Sequence, residues 1–230
     1  MYAEFKGIDK LRDNAINKIK KLLHSNRPVK WLFYGNSITH GVIFTYGMRD
    51  YTQLFAERIR WELNRHTDII LNTAVSGNTV KDLVSGFDWR VRQFNPDAVL
   101  IMIGINDCSD KRDVNLEEFN ASLECLVKML SELGAKTLLQ TTSPVIAGEA
   151  LERAPYFDAY MDALRHIAAE YDLPLVDHAK YWYANEERRF MWMANAFHPN
   201  GYGHRAFANL LFQELDIFDP ESPTCRLFLP

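Results

Sequence analysis

The feature that most restricts the fold of this chain is a regular alternation of short apolar runs with stretches of helical periodicity. Strands that alternate with helices form βαβ units, and these units build parallel sheets. The pattern therefore predicts an α/β fold with at least five parallel strands. The runs that we assign to strands are Lys30 to Gly35, Asp68 to Asn72, Asp97 to Ile103, Lys136 to Thr141 and Leu173 to Asp177.

Helices are indicated between these runs, because apolar residues recur there at intervals of three and four, the spacing of one helix face. Gly134 follows one such stretch at the place of a C-terminal cap. The chain shows no internal repeat and no linker rich in Pro or Gly, so we expect residues 1–230 to form a single domain. The helical stretches are Tyr51 to Leu63, Leu116 to Leu133 and Tyr160 to Ile167, with two more near Asp9 to Leu23 and Asn200 to Leu215.

Charge and composition exclude several kinds of partner and site. Apolar residues make up 47% of the 230 residues, which is enough for a sizeable core. The chain has 26 Lys and Arg against 30 Asp and Glu and no basic stripe, so we expect no nucleic-acid partner. Cys108, Cys125 and Cys225 are widely spaced, a pattern that indicates neither a disulfide framework nor a zinc cluster.

The N-terminal residues bear on the location of the protein. They carry charges every few positions, where a secretory signal needs an uninterrupted apolar run. The longest apolar run, at residues 98–105, is far shorter than the roughly 20 residues of a membrane-spanning helix. Core packing explains the first helix better than binding to a membrane surface does, although lysines lie on its polar face. We therefore expect a soluble cytoplasmic protein without a membrane partner.

Small and polar residues follow the strands, at the sheet edge where parallel sheets bind ligands. Ser37 follows the first strand, Gly77 the second and Asn106 the third, and His198 precedes the last helix. Taken singly, each has a structural explanation: a helix cap, a turn glycine, an Asx turn and a structural histidine. Four such residues at one sheet edge instead favour a nucleophile, a base and donors for an oxyanion.

These four segments resemble the sequence blocks of the SGNH subgroup of GDSL esterases and lipases, over about residues 30–215. The resemblance implies a flavodoxin-like three-layer α/β/α sandwich with a five-stranded parallel sheet. It also implies hydrolysis of ester or thioester bonds with no cofactor. No metal is expected, because His198 and His204 lack the i, i+4 spacing of helical zinc ligands and no Cys or Glu completes a ligand set nearby. The α/β-hydrolase family fits less well, because Ser37 does not lie in a Gly-x-Ser-x-Gly motif.

The resemblance also implies a role for each matched residue. Ser37 is the nucleophile and His198 is the base that takes its proton. The backbone N–H groups of Ser37 and Gly77 and the side-chain amide of Asn106 form the oxyanion hole.

Two positions depart from the family pattern. Asn36 stands where the family has an aspartate, and we expect a mild effect because its hydrogen-bonding role survives. Asn195 stands three residues before His198, where the family has the triad aspartate. An amide oxygen can orient the imidazole, but it offsets no imidazolium charge, and an amide can also support the wrong tautomer. Three interpretations stay open: Asn195 orients His198, Asp177 or a backbone carbonyl does so instead, or the protein is a poor catalyst.

Other polar residues near these segments receive structural interpretations. His40 either lines the pocket or belongs to a turn, and His204 is expected to hydrogen-bond to the backbone. Asp107 is interpreted as a brace for its loop. The irregular stretch at about residues 142–154 is interpreted as a loop over the site.

The expected function is hydrolysis of small soluble carboxyl esters, with an acetylated carbohydrate as the favoured substrate. A lysophospholipase or thioesterase is the first alternative and would need a long apolar groove. A catalytically weak module that binds acylated or glycosidic ligands is the second, motivated by Asn195. The partner is a small-molecule ester, and the sequence leaves open whether the protein is a monomer or a homo-oligomer.

Overall fold

A single sheet organises the molecule, of which the computed structural model describes residues 15–146 and 148–230. Its five strands are all parallel and lie in the order β2-β1-β3-β4-β5. This is the flavodoxin-like order, and it confirms the expected fold class. The strands are β1 Lys30–Gly35, β2 Ile69–Asn72, β3 Ala98–Met102, β4 Lys136–Gln140 and β5 Leu175–Val176.

Helices connect the strands and cover both faces of the sheet. The central strand β3 is buried along its whole length, as a strand covered on both faces must be. The main helices are α1 at residues 15–23, α2 Ser37–His40, α3 Tyr51–Glu57, α4 Val80–Ser85, α5 Phe87–Arg90, α6 Leu116–Leu133, α7 Phe157–Glu170, α8 His178–Ala184, α9 Glu186–Arg189 and α10 Gly201–Glu214.

Two groups of helices form the outer layers of the sandwich. Helix α6 packs against α4 and α7 in one group, and α10 packs against α3 and α8 in the other. Of the expected first helix, residues 9–14 lie outside the described residues. In the part of the chain that the structure describes, no helix combines the length and the apolarity needed to cross a membrane.

Helix α6 begins and ends at capping residues that are recognisable in the sequence. Asn115 caps its first turn by accepting a hydrogen bond from the Glu118 backbone N–H at 2.9 Å, and the Glu118 side chain accepts from Asn115 in return. Gly134 ends the helix with φ of 78°, a left-handed conformation that glycine adopts without strain. The expected C-terminal cap is thereby confirmed.

The stretch expected as one helix from Tyr51 to Leu63 has two parts. After α3 the chain widens into a π turn at Arg58–Glu62, where the Leu63 N–H donates to the Arg58 carbonyl at 2.9 Å. The side chain of Arg58 is buried, and its Nε donates to the carbonyl of Ile217 at 2.8 Å. The turn therefore coincides with a buried arginine that fastens the C-terminal segment, a contact that helical periodicity does not record.

Candidate active site

Ser37 lies at the carboxyl end of β1, where the chain turns directly from the strand into α2. The turn is tight: a Cβ atom on Gly35 would lie 2.4 Å from the carbonyl oxygen of Met102. Only glycine fits there. Asn36 caps α2, since its Oδ1 accepts a hydrogen bond from the Ile38 backbone N–H at 3.1 Å. The asparagine thus performs the local hydrogen bonding expected of an aspartate at this position.

A chain of hydrogen bonds joins Ser37, His198 and Asn195. Ser37 Oγ lies 2.9 Å from His198 Nε2, and His198 Nδ1 lies 3.2 Å from Asn195 Oδ1. Ser37 and His198 are 4% and 9% exposed, so the pair is largely shielded from water. The structure therefore places the three predicted residues in the order that nucleophilic catalysis requires.

The orientation of the Asn195 amide determines the tautomer of His198. Two backbone N–H groups donate to Asn195 Oδ1, that of Phe197 at 3.2 Å and that of His198 at 2.9 Å. These donors fix which end of the amide is oxygen, and the same oxygen faces His198 Nδ1. Nδ1 must then carry the proton, which leaves Nε2 free to accept a proton from Ser37. The wrong tautomer, considered from the sequence, does not fit this arrangement.

The alternative partner for His198, Asp177, is engaged elsewhere. Its carboxylate accepts hydrogen bonds from Arg165 Nε at 2.9 Å, from Thr141 Oγ1 at 2.9 Å and from the backbone of Lys180 at 3.1 Å. Although burial opposes it, the hydrogen bond from Arg165 lowers the pKa of Asp177. Asp177 caps α8 rather than extending β5. The geometry therefore favours Asn195 as the group that orients the imidazole.

The turn that holds Gly77 and the loop that holds Asn106 meet beside the end of β1. The Val75 N–H donates to the Gly35 carbonyl at 3.1 Å, which ties this turn to the strand before Ser37. Asn106 Nδ2 donates one proton to the Asn78 carbonyl at 2.9 Å. A side-chain amide carries two protons, so one remains available. Gly77 has φ of 87°, a conformation that glycine tolerates.

Known proteins resemble this chain in both sequence and fold. A model of the GDSL-like Lipase/Acylhydrolase family matches residues 33–206. The chain belongs to this family. An acetylxylan esterase from Geobacillus stearothermophilus is 30% identical over 158 residues, which are 64% of this chain and 71% of that protein.

Solved structures agree with the family assignment. An alpha/beta hydrolase enzyme from the metagenome of Lake Arreo, Spain, matches with a TM-score of 0.72 and 26% identity, over 83% of this chain and 96% of that one. The acetylxylan esterase Axe2 from Geobacillus stearothermophilus matches with a TM-score of 0.69 and 27% identity, over 81% and 94%. This GDSL-family chain is a serine hydrolase that acts on ester bonds.

Two aromatic rings and one arginine surround His198 in this GDSL-family site. The ring of Phe44 is stacked on the imidazole, with centroids 3.9 Å apart and planes 21° apart, and that of Phe197 lies at 4.5 Å. The Arg153 guanidinium lies 4.0 Å from the centroid of Phe197. Burial, followed by the charge of Arg153, lowers the pKa of His198 to about 4. The histidine is therefore neutral, as a base must be, across the neutral pH range.

Sequence reasoning found some of these surroundings and missed others. Phe197 directly precedes His198 in the sequence, so its proximity is expected, whereas no pattern in the sequence distinguishes Arg153. Arg153 lies in the irregular stretch expected over the site, and its Nε donates to the Ile105 carbonyl at 3.1 Å. From the same stretch, the Ile146 N–H donates to the Ala196 carbonyl at 2.8 Å. No sequence signal marks Phe44, because its contact with His198 joins distant parts of the chain.

The remaining predicted residues have structural contacts. Asp107 Oδ1 accepts from the Val80 N–H at 2.7 Å, so it braces the start of α4. His204 Nδ1 accepts from the Tyr51 N–H at 3.3 Å. His40 Nδ1 accepts from the Ser76 N–H at 3.3 Å, beside the Gly77 turn. Within residues 15–146 and 148–230, no group of three His, Cys, Asp or Glu side chains is arranged to hold a metal ion.

Four buried titratable groups of the described residues, three histidines and one aspartate, link the stability of the fold to pH. Burial lowers the pKa of His178 and of His204 to about 3 each. Burial raises the pKa of Asp107 to about 7, against an opposing hydrogen bond from Val80. These two histidines and His198, whose pKa burial lowers to about 4, are neutral in the folded state and gain protons below about pH 6.5 on unfolding. Asp107 instead loses its proton when the chain unfolds in that range.

We expect the free energy of unfolding to fall as the pH falls from about 6.5 to 4. The unfolded chain then binds up to three protons more at the histidines and one fewer at Asp107. The net difference approaches two protons, or about 2.7 kcal/mol per pH unit. Urea unfolding at several pH values measures this slope. Asp107→Asn should steepen this slope by about one proton, because the carboxyl that loses a proton on unfolding is gone. The amide oxygen of Asn can still accept from the Val80 N–H, so the fold should be retained. A slope unaffected by Asp107→Asn would contradict the assignment.

Proposed function

We propose that this enzyme hydrolyses small soluble carboxyl esters through an acyl-enzyme, and that its substrate is an acetylated carbohydrate. The observation that carries the proposal is the 2.9 Å contact of Ser37 Oγ with a histidine whose other nitrogen faces a fixed oxygen of Asn195. The acetyl specificity is supported by the relatives named acetylxylan esterase. The contacts of Ser37, His198 and Asn195 support ester hydrolysis through an acyl-enzyme. The carbohydrate part of the substrate is inferred from the names of the relatives.

In the first half of the reaction, Ser37 Oγ attacks the acyl carbon while His198 Nε2 takes its proton. Asn195 Oδ1 keeps the other ring proton on Nδ1, so the imidazolium that forms can return its Nε2 proton to the leaving alcohol. In the second half, His198 takes a proton from water, which attacks the acyl-enzyme and releases the acid. The serine regains its proton, and the enzyme is restored.

The negative charge on the carbonyl oxygen is stabilised by donors near the end of β1. The backbone N–H groups of Ser37 and Gly77 and the second proton of the Asn106 amide are the proposed oxyanion hole. The Asn106 amide is held by its bond to the Asn78 carbonyl at 2.9 Å. A fixed donor stabilises the transition state without reorganising as the charge develops.

A cavity of about 500 Å³ beside β5 is separate from the proposed catalytic pair. Its lining combines apolar residues such as Leu173 with charged ones such as Asp177 and includes neither Ser37 nor His198. The cavity therefore does not bear on the length of the acyl group, and the preference for a short acyl group is inferred from the relatives named acetylxylan esterase.

The proposal is tested by hydrolysis of p-nitrophenyl esters with acyl chains of two to sixteen carbons and of acetylated xylo-oligosaccharides. We expect the acetate ester to be the best of the chromogenic series and the oligosaccharide to release acetate. Treatment with an organophosphate ester should place one covalent adduct on Ser37, located by mass spectrometry. Preference for long acyl chains would support the lysophospholipase. If the protein shows no turnover and forms no adduct, the result would support the module that only binds its ligand.

A further inference from the structure

The loop after α2 returns to the active site and places an aromatic ring on the base. Gly41 ends α2 in a left-handed conformation, with φ of 70°, and its N–H donates to the Ser37 carbonyl at 3.2 Å. The chain then forms a 3₁₀ turn at Ile43–Thr45. Phe44, in the middle of this turn, is stacked on His198. The short segment that carries the nucleophile therefore also covers the base.

Of the large apolar residues in and next to this turn, Phe44 contacts His198, whereas Ile43 and Tyr46 extend into solvent. Ile43 is 81% exposed and Tyr46 is 70% exposed, whereas Phe44 is half-buried. Backbone hydrogen bonds hold the turn, from Thr45 N to the Val42 carbonyl at 3.3 Å and from Tyr46 N to the Ile43 carbonyl at 3.1 Å. A ring held this way constrains the plane of the imidazole that it covers.

We propose that Phe44 is a positioning residue for His198, whose stacked ring holds the imidazole in the plane that reaches Ser37 and keeps water from it. This inference rests on the proposed function, in which His198 is the base. The need for such a residue follows from Asn195, because a neutral amide orients the ring through one bond but adds no electrostatic attraction. The hydrogen bond to Asn195 acts within the plane of the imidazole, whereas the stacked ring of Phe44 restricts motion of the imidazole perpendicular to that plane.

The other charged and titratable groups near the imidazole do not replace this contact. Arg153 lies behind Phe197 and is paired with Glu152. His204 on α10 is buried and neutral, with its pKa lowered to about 3 by burial and then by His198. Ser37 is the hydrogen-bond partner of Nε2. None of these groups covers the face on which Phe44 is stacked.

The test compares Phe44→Ala and Phe44→Tyr with wild type by kcat, by the pH profile of kcat/KM and by NMR titration of His198. In Phe44→Ala, water reaches the ring, so the pKa of His198 and the acid limb of the profile should rise by about one unit towards 6.5. Its kcat should fall about tenfold, because the base is less well oriented. Phe44→Tyr retains the aromatic ring, so its kcat and its His198 pKa should stay close to the wild-type values.

Ile43→Ala is the matched control, since it shortens an apolar side chain of the same turn that points into solvent. It should leave kcat and the acid limb unchanged, and thermal unfolding of every variant separates a loss of stability from a loss of positioning. An unshifted His198 pKa in folded Phe44→Ala would overturn the inference. The NMR titration needs no turnover, so a wild type without esterase activity would refute the proposed function while the role of Phe44 is still measured.

Discussion

Replacing Ser37 by alanine is expected to lower the turnover of p-nitrophenyl acetate by at least about 10⁴-fold, because no other group can form the acyl-enzyme. Only the proposed oxyanion donors and substrate binding would remain, and these leave a small residual rate. The organophosphate adduct should disappear in the same variant. Initial rates with substrate above KM, together with mass spectrometry, measure both effects.

The matched control for this exchange is Ser85→Ala, which alters an exposed serine at the end of α4. It should retain wild-type turnover and the adduct on Ser37. Thermal unfolding should show that both variants are folded, because each substitution removes only one hydroxyl group. Turnover that survives Ser37→Ala would mean that another residue or an impurity performs the hydrolysis, and the Ser–His mechanism would be wrong.

Exchanges at Asn195 are expected to change turnover in opposite directions. Asn195→Leu removes the oxygen that accepts from His198 Nδ1 and from two backbone N–H groups, so turnover should fall by about 10³-fold as the imidazole loses its orientation. Asn195→Asp keeps that oxygen and adds a negative charge beside the imidazolium. Turnover at pH 7 to 8 should then rise by about tenfold, the effect of about 1.4 kcal/mol.

The pH profile of the Asn195→Asp enzyme gives a second measure. A nearby carboxylate raises the pKa of His198 above about 4, so the acid limb of kcat/KM should move to higher pH. Asn120→Asp on α6 makes the same exchange without a described contact to Ser37 or His198 and should leave the profile unchanged. If Asn195→Asp lowers turnover while Asp177→Asn also lowers it, Asp177 is the orienting group after all.

The strands and the long helices were predictable because their signals are local. Strand β1 has the predicted bounds, and β3 and β4 differ from the prediction only at their ends. Short helices such as α5 and α9 were missed, because four residues are too few to show a helical period. Strand β5 is shorter than predicted, since Asp177 leaves it to cap α8 and bind Arg165.

The sequence by itself determined the parallel sheet and the residues that its strand ends bring together, because apolar periodicity and the residues after each strand are properties of neighbouring positions. It left the partner of His198 open between Asn195 and Asp177. The tertiary structure favours Asn195, whose Oδ1 faces His198 Nδ1, and it alone revealed Phe44 on the imidazole and Arg153 behind Phe197. These contacts join residues far apart in the chain, so they depend on how the packed layers orient each side chain, which no local pattern encodes.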